Sequence, residues 1–185
     1  MDDAIAARLA ELGISAARLA ARGLQPYAEA AAEQLVLADV NDAGREFHLL
    51  PGAATAWQAM RDAAAADGVT LFLVSAFRSV ARQHEIVAAK LARGQSLDAI
   101  LAVSAAPGFS EHHTGRAIDI GTPGSPVLEQ HFETTPAFAW LQQRAANYGF
   151  AMSFGRNNAS GYLYEPWHWC WQDPAAQPTS KGLTA

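Results

Sequence analysis

The order of helical and strand patterns predicts an α+β fold built on a small, largely antiparallel sheet. Three observations lead there. Two short strand-like runs, Leu35-Val36-Leu37 and Phe47-His48-Leu49-Leu50, flank a turn-like Asn41-Asp42-Ala43-Gly44 and read as a hairpin. Near the end of the chain, two further strand patterns, Phe150 to Phe154 and Tyr162 to Trp171, follow one another with only a polar Asn157–Gly161 loop between them. Helical periodicity fills the remainder without the strict strand–helix alternation of a doubly wound parallel sheet.

Taken in order, the first part of the chain, to about Ala32, reads as two helices. Ile5, Leu9 and Leu12 recur at helical spacing, Leu19 and Tyr27 continue the pattern, and Gly13 and Gly23 punctuate it. This segment reads as a helical cap packed on the domain; a partner-binding arm would rest on Ala-rich periodicity alone. After the hairpin, Ala53 to Ala66 reads as a helix that stops at Asp67-Gly68. Val69 to Val74 is a β-rich apolar run that delivers Ser75-Ala76-Phe77-Arg78-Ser79 at its end. Ser79 can cap a helix over Val80 to Ala92, Gly94 can stop it, and a short helix follows around Leu97 to Val103. Pro107-Gly108 breaks the chain, and Arg116 to Ile120 reads as a strand. Thr135-Pro136 supplies a cap and a first-turn proline for a helix that runs towards Tyr148-Gly149.

The whole-chain properties exclude several classes. With 185 residues, half of them hydrophobic and 17% charged, the chain is expected to form one domain over 1–185. A net charge of -5 and the lack of a Lys/Arg block argue against a nucleic-acid binder. The single Cys170 can form neither an internal disulfide nor a Cys-rich structural zinc site. The acidic start Met1-Asp2-Asp3 lacks the features of a secretory signal, and no stretch is expected to cross a membrane.

Two compact blocks carry the chemistry. The first is Ser110-Glu111-His112-His113-Thr114-Gly115-Arg116-Ala117-Ile118-Asp119; the second is Glu165-Pro166-Trp167-His168. Two imidazoles and one carboxylate, His112, Asp119 and His168, are a donor set that a catalytic zinc uses while keeping a fourth position for water. Gly115 permits the tight turn that would fold a loop bearing His112 against a strand bearing Asp119. His168 must then arrive from a neighbouring strand. Glu165 lies three residues before His168, so a straight strand would point the two to opposite faces, and Pro166 marks the expected bend. Arg78 can fork two hydrogen bonds to a carboxylate or an oxyanion. His113 is expected to diverge from His112 and to be supporting or exposed. Cys170 reads as a buried small apolar residue, and Trp167, Trp169 and Trp171 as core or pocket wall.

These blocks resemble those of the VanY-type D-alanyl-D-alanine carboxypeptidases, a group that also takes in D-Ala-D-Ala dipeptidases, peptidoglycan LD-carboxypeptidases and phage endolysin peptidases. Ser75-Ala76-Phe77-Arg78-Ser79 with Gln83 is similar to the family's Ser-Gly-Tyr-Arg-Ser…Gln element. Tyr148-Gly149-Phe150 and the run from Gly161 to Trp169 match as well. The resemblance covers Val69 to Trp171 and implies a catalytic core over 69–171, with an N-terminal helical segment over 1–34 outside it. It implies a small α+β fold with the metal on a central antiparallel sheet flanked by helices. His112, Asp119 and His168 would be the zinc ligands and Glu165 the catalytic base. Arg78 would bind substrate and stabilise developing negative charge, and Gln83 and Ser110 would line the substrate pocket.

The implied activity is zinc-dependent removal of a C-terminal D-amino acid from a peptidoglycan stem peptide, at a D-Ala-D-Ala or an L,D bond. An endopeptidase or a D-Ala-D-Ala dipeptidase could use the same residues. A catalytically silent wall-binding module with a structural zinc is a further alternative, against which the intact Glu165 argues. Two departures bear on the substrate subtype. Ala151-Met152-Ser153-Phe154-Gly155 replaces a proline-ended strand, and the Ala-rich N-terminal segment has no counterpart in the matching region.

Overall fold

A four-stranded antiparallel sheet and a separate two-stranded hairpin organise the chain, whose residues 2–173 are described by a computed structural model. The expected 1–185 domain extends to residues 174–185, which lie outside the described residues. In chain order the elements are α1 (Asp3–Glu11), α2 (Ala16–Ala21), β1 (Val36–Val40), β2 (Glu46–Leu49), α3 (Pro51–Ala66), β3 (Phe72–Ser75), α4 (Val80–Ala92), α5 (Leu97–Val103), β4 (Ala117–Gly121), α6 (Pro136–Arg144), β5 (Phe150–Met152) and β6 (His168–Trp171). The hairpin is β1–β2, and the larger sheet has the order β3-β4-β6-β5 with every pairing antiparallel. The α+β expectation therefore holds. No helix among the described residues is long and apolar enough to cross a membrane.

Side-chain alternation divides the larger sheet into two chemically distinct faces. Leu73, Ile118, Ile120 and Trp169 turn one way and join Trp57 and Met60 of α3 and Leu141 of α6 in the main core. Asp119 and His168, on the two central strands, turn the other way. They are direct register partners, as are Ala117 and Cys170 two residues along. A bulge between Leu73 and Ser75 sets Ser75 opposite Asp119 on the other side. The sheet thus brings a hydroxyl, a carboxylate and an imidazole abreast on one face. Cys170 is buried on that face, as its small apolar character suggested. Trp169 lies in the core, with Trp167 and Trp171 packed against it.

A second apolar cluster closes the functional side. Leu9, Leu12, Ile14 and Leu19 of the N-terminal segment pack with Val87 of α4, Ile100 and Leu101 of α5, and Phe109. Side-chain caps start these helices: Asp2, Ser15, Ser79 and Ser96 each accept a hydrogen bond from a first-turn amide.

Several element boundaries differ from the sequence reading. The expected N-terminal helical segment over 1–34 is α-helical only as far as Ala21. Gly23, at φ 69°, ends α2, and Pro26 prevents its resumption. Residues 24–31 instead form an irregular strap beside the first ligand block, with the Tyr27 and Ala30 amides donating to the carbonyls of Gly108 and His113 at 2.8 Å each. The strand expected from Val69 begins only at Phe72, because Val69 still donates back to Ala64 in closing α3. The helix expected to reach Tyr148 is α-helical to Arg144 and then tightens into a 3-10 turn. The last strand is confined to His168–Trp171: residues 162–167 leave the sheet, with Pro166 lacking an amide for the ladder.

Gly115 shows how closely the first block is packed. It adopts φ 67° between His112 and Asp119, and a Cβ there would lie 2.9 Å from Leu35 Cδ2 and 3.3 Å from the Leu50 amide nitrogen. The Leu50 amide donates to the Gly115 carbonyl at 2.9 Å, so this neighbour cannot easily retreat. Gly115→Ala is expected to cost about 1–3 kcal/mol. Thermal melts of the metal-free proteins should show it as a lower Tm; an unchanged Tm would contradict the strained placement.

Candidate metal centre and active site

Three polar side chains meet at the centre of the sheet. A potential ligand atom from each of His112, Asp119 and His168 lies within 4.8 Å of those from the others, and all three residues are buried. His112 Nε2 is 3.2 Å from Asp119 Oδ2, and His168 Nδ1 is 2.9 Å from Asp119 Oδ1. Each residue arrives by a different local device. Asp119 and His168 are held by strand register. His112 sits in the 3-10 turn Glu111–Thr114, whose start Ser110 caps through its hydroxyl.

The hydrogen bond on the far side of His112 fixes its tautomer. Nδ1 lies 2.8 Å from the Ala76 carbonyl, which can only accept, so Nδ1 carries the proton and the Nε2 lone pair faces the cluster. Two imidazoles and a carboxylate, close together, buried and with one imidazole held in its ligating tautomer, fit a tetrahedral zinc ion with one position left over.

The electrostatics follow from burial and pairing. Burial alone would raise the Asp119 carboxyl, but the two histidines hold it well below the usual carboxylate range. Burial pushes His112 down, partly offset by Asp119. Burial would also lower His168, yet its hydrogen bonds to Asp119 and Glu111 prevail and push it up to about 10. Glu111 is held down by His168 against the opposing effect of burial.

Glu165, Arg78 and Ser110 line one cavity of about 700 Å³ together with His112, Asp119 and His168. Glu165 reaches it because the chain turns there: the His168 amide donates to the Glu165 carbonyl at 3.1 Å, and the Glu165 amide donates to the Phe154 carbonyl at 3.0 Å. This turn resolves the three-residue spacing that a straight strand would have defeated. Burial pushes the Glu165 carboxyl up to about 7, with His168, Arg78 and Lys90 opposing and Asp119 reinforcing. A carboxyl in that range can take and return a proton near neutral pH.

Arg78 is anchored on its protein side. Its Nη1 donates to Gln83 Oε1 and its Nη2 to Ser75 Oγ, each at 2.8 Å, and Nη2 is 3.9 Å from Asp119 Oδ2. Gln83 is fully buried and donates in turn to the Ala105 carbonyl at 2.6 Å. Its observed contact is therefore with Arg78 rather than with the cavity, so it orients the guanidinium. Ser110 is buried at the cavity wall, where its Oγ accepts from the His112 amide at 3.3 Å.

His113 is wholly buried, not exposed. The Gly108 amide donates to its Nε2 at 3.1 Å, so Nδ1 carries the proton and donates to the Arg78 carbonyl at 2.6 Å. It ties the ligand turn to the strand end that bears Arg78. Four participants were not singled out as site residues from the sequence. Phe154 stacks on the His168 ring at 4.7 Å between centroids. Glu111, quoted above only as part of the ligand block, touches His168, and Tyr27 and Ser153 touch Glu111. Adjacency to His112 was the one available hint for Glu111.

Comparison with known proteins agrees with this geometry. The family model described as VanY, D-alanyl-D-alanine carboxypeptidase, matches residues 46–174. YodJ of Bacillus subtilis (strain 168) is 39% identical over 119 residues, which make up 63% of this chain and 43% of YodJ. The chain spans less than half the length of YodJ and of a D-alanyl-D-alanine carboxypeptidase of Enterococcus faecalis that it also matches. Among solved structures, the LdcB LD-carboxypeptidase aligns with a TM-score of 0.68 at 32% identity, covering 78% of this chain and 69% of LdcB. The vancomycin-resistance D,D-pentapeptidase VanY from a VanB-type cassette, in complex with Zn(II), aligns with a TM-score of 0.60 at 28% identity, covering 80% and 83%.

The raised Glu165 carboxyl has a consequence for stability. Its folded value, about 7, lies above the ordinary 4.5. Between those values the unfolded chain releases a proton that the folded protein keeps, so stability falls as pH rises and the loss levels off above about 7. Glu165→Gln removes this penalty. Discounted for partial exposure, the metal-free variant should be about 1–3 kcal/mol more stable than the parent at pH 8 and no different at pH 4. Denaturant melts at the two pH values measure this, and equal stabilities at pH 8 would refute the buried placement of the carboxyl.

Proposed function

This chain belongs to the VanY family of D-alanyl-D-alanine carboxypeptidases, and on that premise we propose that it is a zinc-dependent carboxypeptidase acting on peptidoglycan stem peptides. The bond cut is the one before a C-terminal D-amino acid, either D-Ala-D-Ala or L,D. The observation that carries this reading is the convergence of His112, Asp119 and His168 at the wall of a cavity that Glu165 and Arg78 also line. The Zn(II) in the VanY structure and the peptidoglycan recognition described for LdcB support the metal and the substrate class.

Bound by His112, Asp119 and His168, zinc supplies a Lewis acid for the scissile carbonyl and makes a water acidic enough to attack near neutral pH. The remaining work belongs to the protein. A Glu165 carboxylate oxygen takes the proton of the attacking water and hands it to the departing amine, after which the base is free again. Arg78, prepositioned by Gln83 and Ser75, presents its remaining N–H groups to substrate negative charge, either the terminal carboxylate or the oxygen on which charge develops. Its anchored fork lowers the reorganisation required when that charge appears. Ser110 holds the turn bearing His112 and offers a polar edge to the peptide.

A wall-binding module without turnover has no use for a buried base, and the desolvated Glu165 carboxyl favours the enzyme. The decisive measurement is a digest of tetrapeptide and pentapeptide muropeptides by zinc-loaded protein, with and without chelator, followed by mass spectrometry. Release of a single D-Ala that stops on chelation is expected, and the stem that is cut assigns the L,D or D,D bond. Glu165→Gln should lower kcat by about 10²–10⁴-fold while zinc content stays at the parent level. Absence of product from both stems would exclude this activity.

A further inference from the structure

Glu111 sits behind His168, on the side away from Asp119. Its Oε2 is 3.0 Å from His168 Nε2, and Ser153 Oγ donates to the same oxygen at 2.6 Å. The other oxygen, Oε1, accepts from Tyr27 Oη at 3.3 Å. These partners come from three separate stretches: β6, the segment after β5 and the N-terminal strap. The strap is fixed on both sides of Tyr27. The Tyr27 amide donates to Gly108, the Ala30 amide donates to His113, and Glu29 Oε2 accepts from the Val80 amide at the start of α4.

We propose that Glu111 is a positioning residue that fixes the ring and tautomer of His168, and that Tyr27 and Ser153 hold it in place for that task. In this structure both His168 ring nitrogens face carboxylates, Asp119 on Nδ1 and Glu111 on Nε2; were Asp119 engaged by a metal, Glu111 would be the acceptor left to keep the proton on Nε2. The lone pair of Nδ1, the atom beside Asp119 Oδ1, is then the one left for a metal. His112 achieves the same result with a backbone carbonyl, Ala76 O, on its Nδ1. The two imidazoles thus ligate through opposite ring nitrogens, each selected by the partner on its other side. Phe154, stacked on the His168 ring, restrains tilt but supplies no acceptor, so holding the Nε2 proton falls to Glu111.

The inference gives the N-terminal segment a function. Tyr27 lies outside the family match at residues 46–174, so the brace on His168 draws on a residue beyond that matched region. A wholly structural strap would need only its backbone bonds and the apolar contacts of α1 and α2. The phenolic hydroxyl aimed at the Glu111 carboxylate is a contact that such a role does not require.

The inference rests on the metal reading of the site and not on the choice of substrate, so it is tested by metal binding. Zinc affinity is measured by competition with a chromophoric chelator for the parent, Glu111→Ala, Glu111→Gln and Tyr27→Phe, each first shown to be folded by circular dichroism and thermal melting. Glu111→Ala is expected to bind zinc about 10–100-fold more weakly, the range typical of a lost partner behind a ligating histidine. Tyr27→Phe should weaken binding in the same direction by less. Long-range ¹H–¹⁵N spectra of the zinc-loaded protein should show a protected His168 Nε2–H that disappears in Glu111→Ala. It should return in Glu111→Gln, which keeps an oxygen acceptor.

Parent-level affinity in Glu111→Ala would overturn the inference, as would a His168 proton found on Nδ1 in the zinc-loaded parent. Parent-level affinity in Tyr27→Phe would remove the N-terminal segment from it. If Glu111→Ala does not fold, Ser153→Ala and Tyr27→Phe carry the test: together they must weaken zinc binding and shift the Nε2–H resonance, and failure to do either overturns the inference. A parent protein that binds no zinc would instead defeat the metal reading itself, and a parent that binds zinc but cuts no muropeptide would defeat only the substrate assignment.

Discussion

The antiparallel pairing of Asp119 with His168 on the two central strands is the constraint on which the site depends. A one-residue slip between β4 and β6 would send one of the two to the core face, where Ile118 and Trp169 now lie. The apolar face therefore enforces the polar one. Burial of Ile118, Ile120 and Trp169 against α3 and α6 favours this register, and Asp119 and His168 occupy the opposite side as a consequence. The bulge before Ser75 extends the logic to β3 by bringing a hydroxyl level with Asp119 and within reach of Arg78.

Concentrating this many polar groups in a largely buried site is costly unless each is paired. Asp119 bonds both histidines, Glu111 bonds His168, Ser153 and Tyr27, and Arg78 bonds Gln83 and Ser75. Glu165 differs from them. No such bond is made by its carboxylate among the described residues, and its carboxyl is displaced upward by burial rather than downward by a partner. The contrast separates the groups that hold the centre from the one available to exchange a proton. The N-terminal segment packs beside this face. Its helices form an apolar cluster with α4 and α5, and its strap runs along the ligand turn.

The candidate metal donors could be picked out of the chain because ligand chemistry is stringent. Few arrangements of two histidines and one aspartate place all three in spaced blocks with a glutamate three residues before the last. Arg78, at the end of an apolar run, and Ser110, at the head of the first block, were legible for a related reason: such boundaries are where a strand or turn delivers polar groups to a surface. Gln83 was found by its place in the motif, but its burial behind Arg78 was not evident, since a helix residue five positions on can face either way. Glu111, Ser153 and Tyr27 escaped notice. Their significance lies in converging on one imidazole from segments far apart, and single residues of these types carry no local mark of it.

Secondary structure followed the same division. The starts of α4 and α6 were legible because the Ser79 and Thr135 hydroxyls and Pro136 act on their immediate neighbours, whereas α3 begins at Pro51, two residues before the expected Ala53. Helix and strand ends near Gly23, Val69 and Pro166 were harder to place, because what the chain does next depends on which partner strand or turn can accept its backbone groups. Residue identity and spacing were enough to predict the α+β class and to pick out a candidate donor set and a candidate base, all of which are local chemistry. Folding in three dimensions settled which nitrogen of each imidazole faces the centre, why Gln83 touches Arg78, and how Tyr27 comes to brace Glu111, because hydrogen bonds between distant segments exist only once the sheet and its covering helices have brought them together.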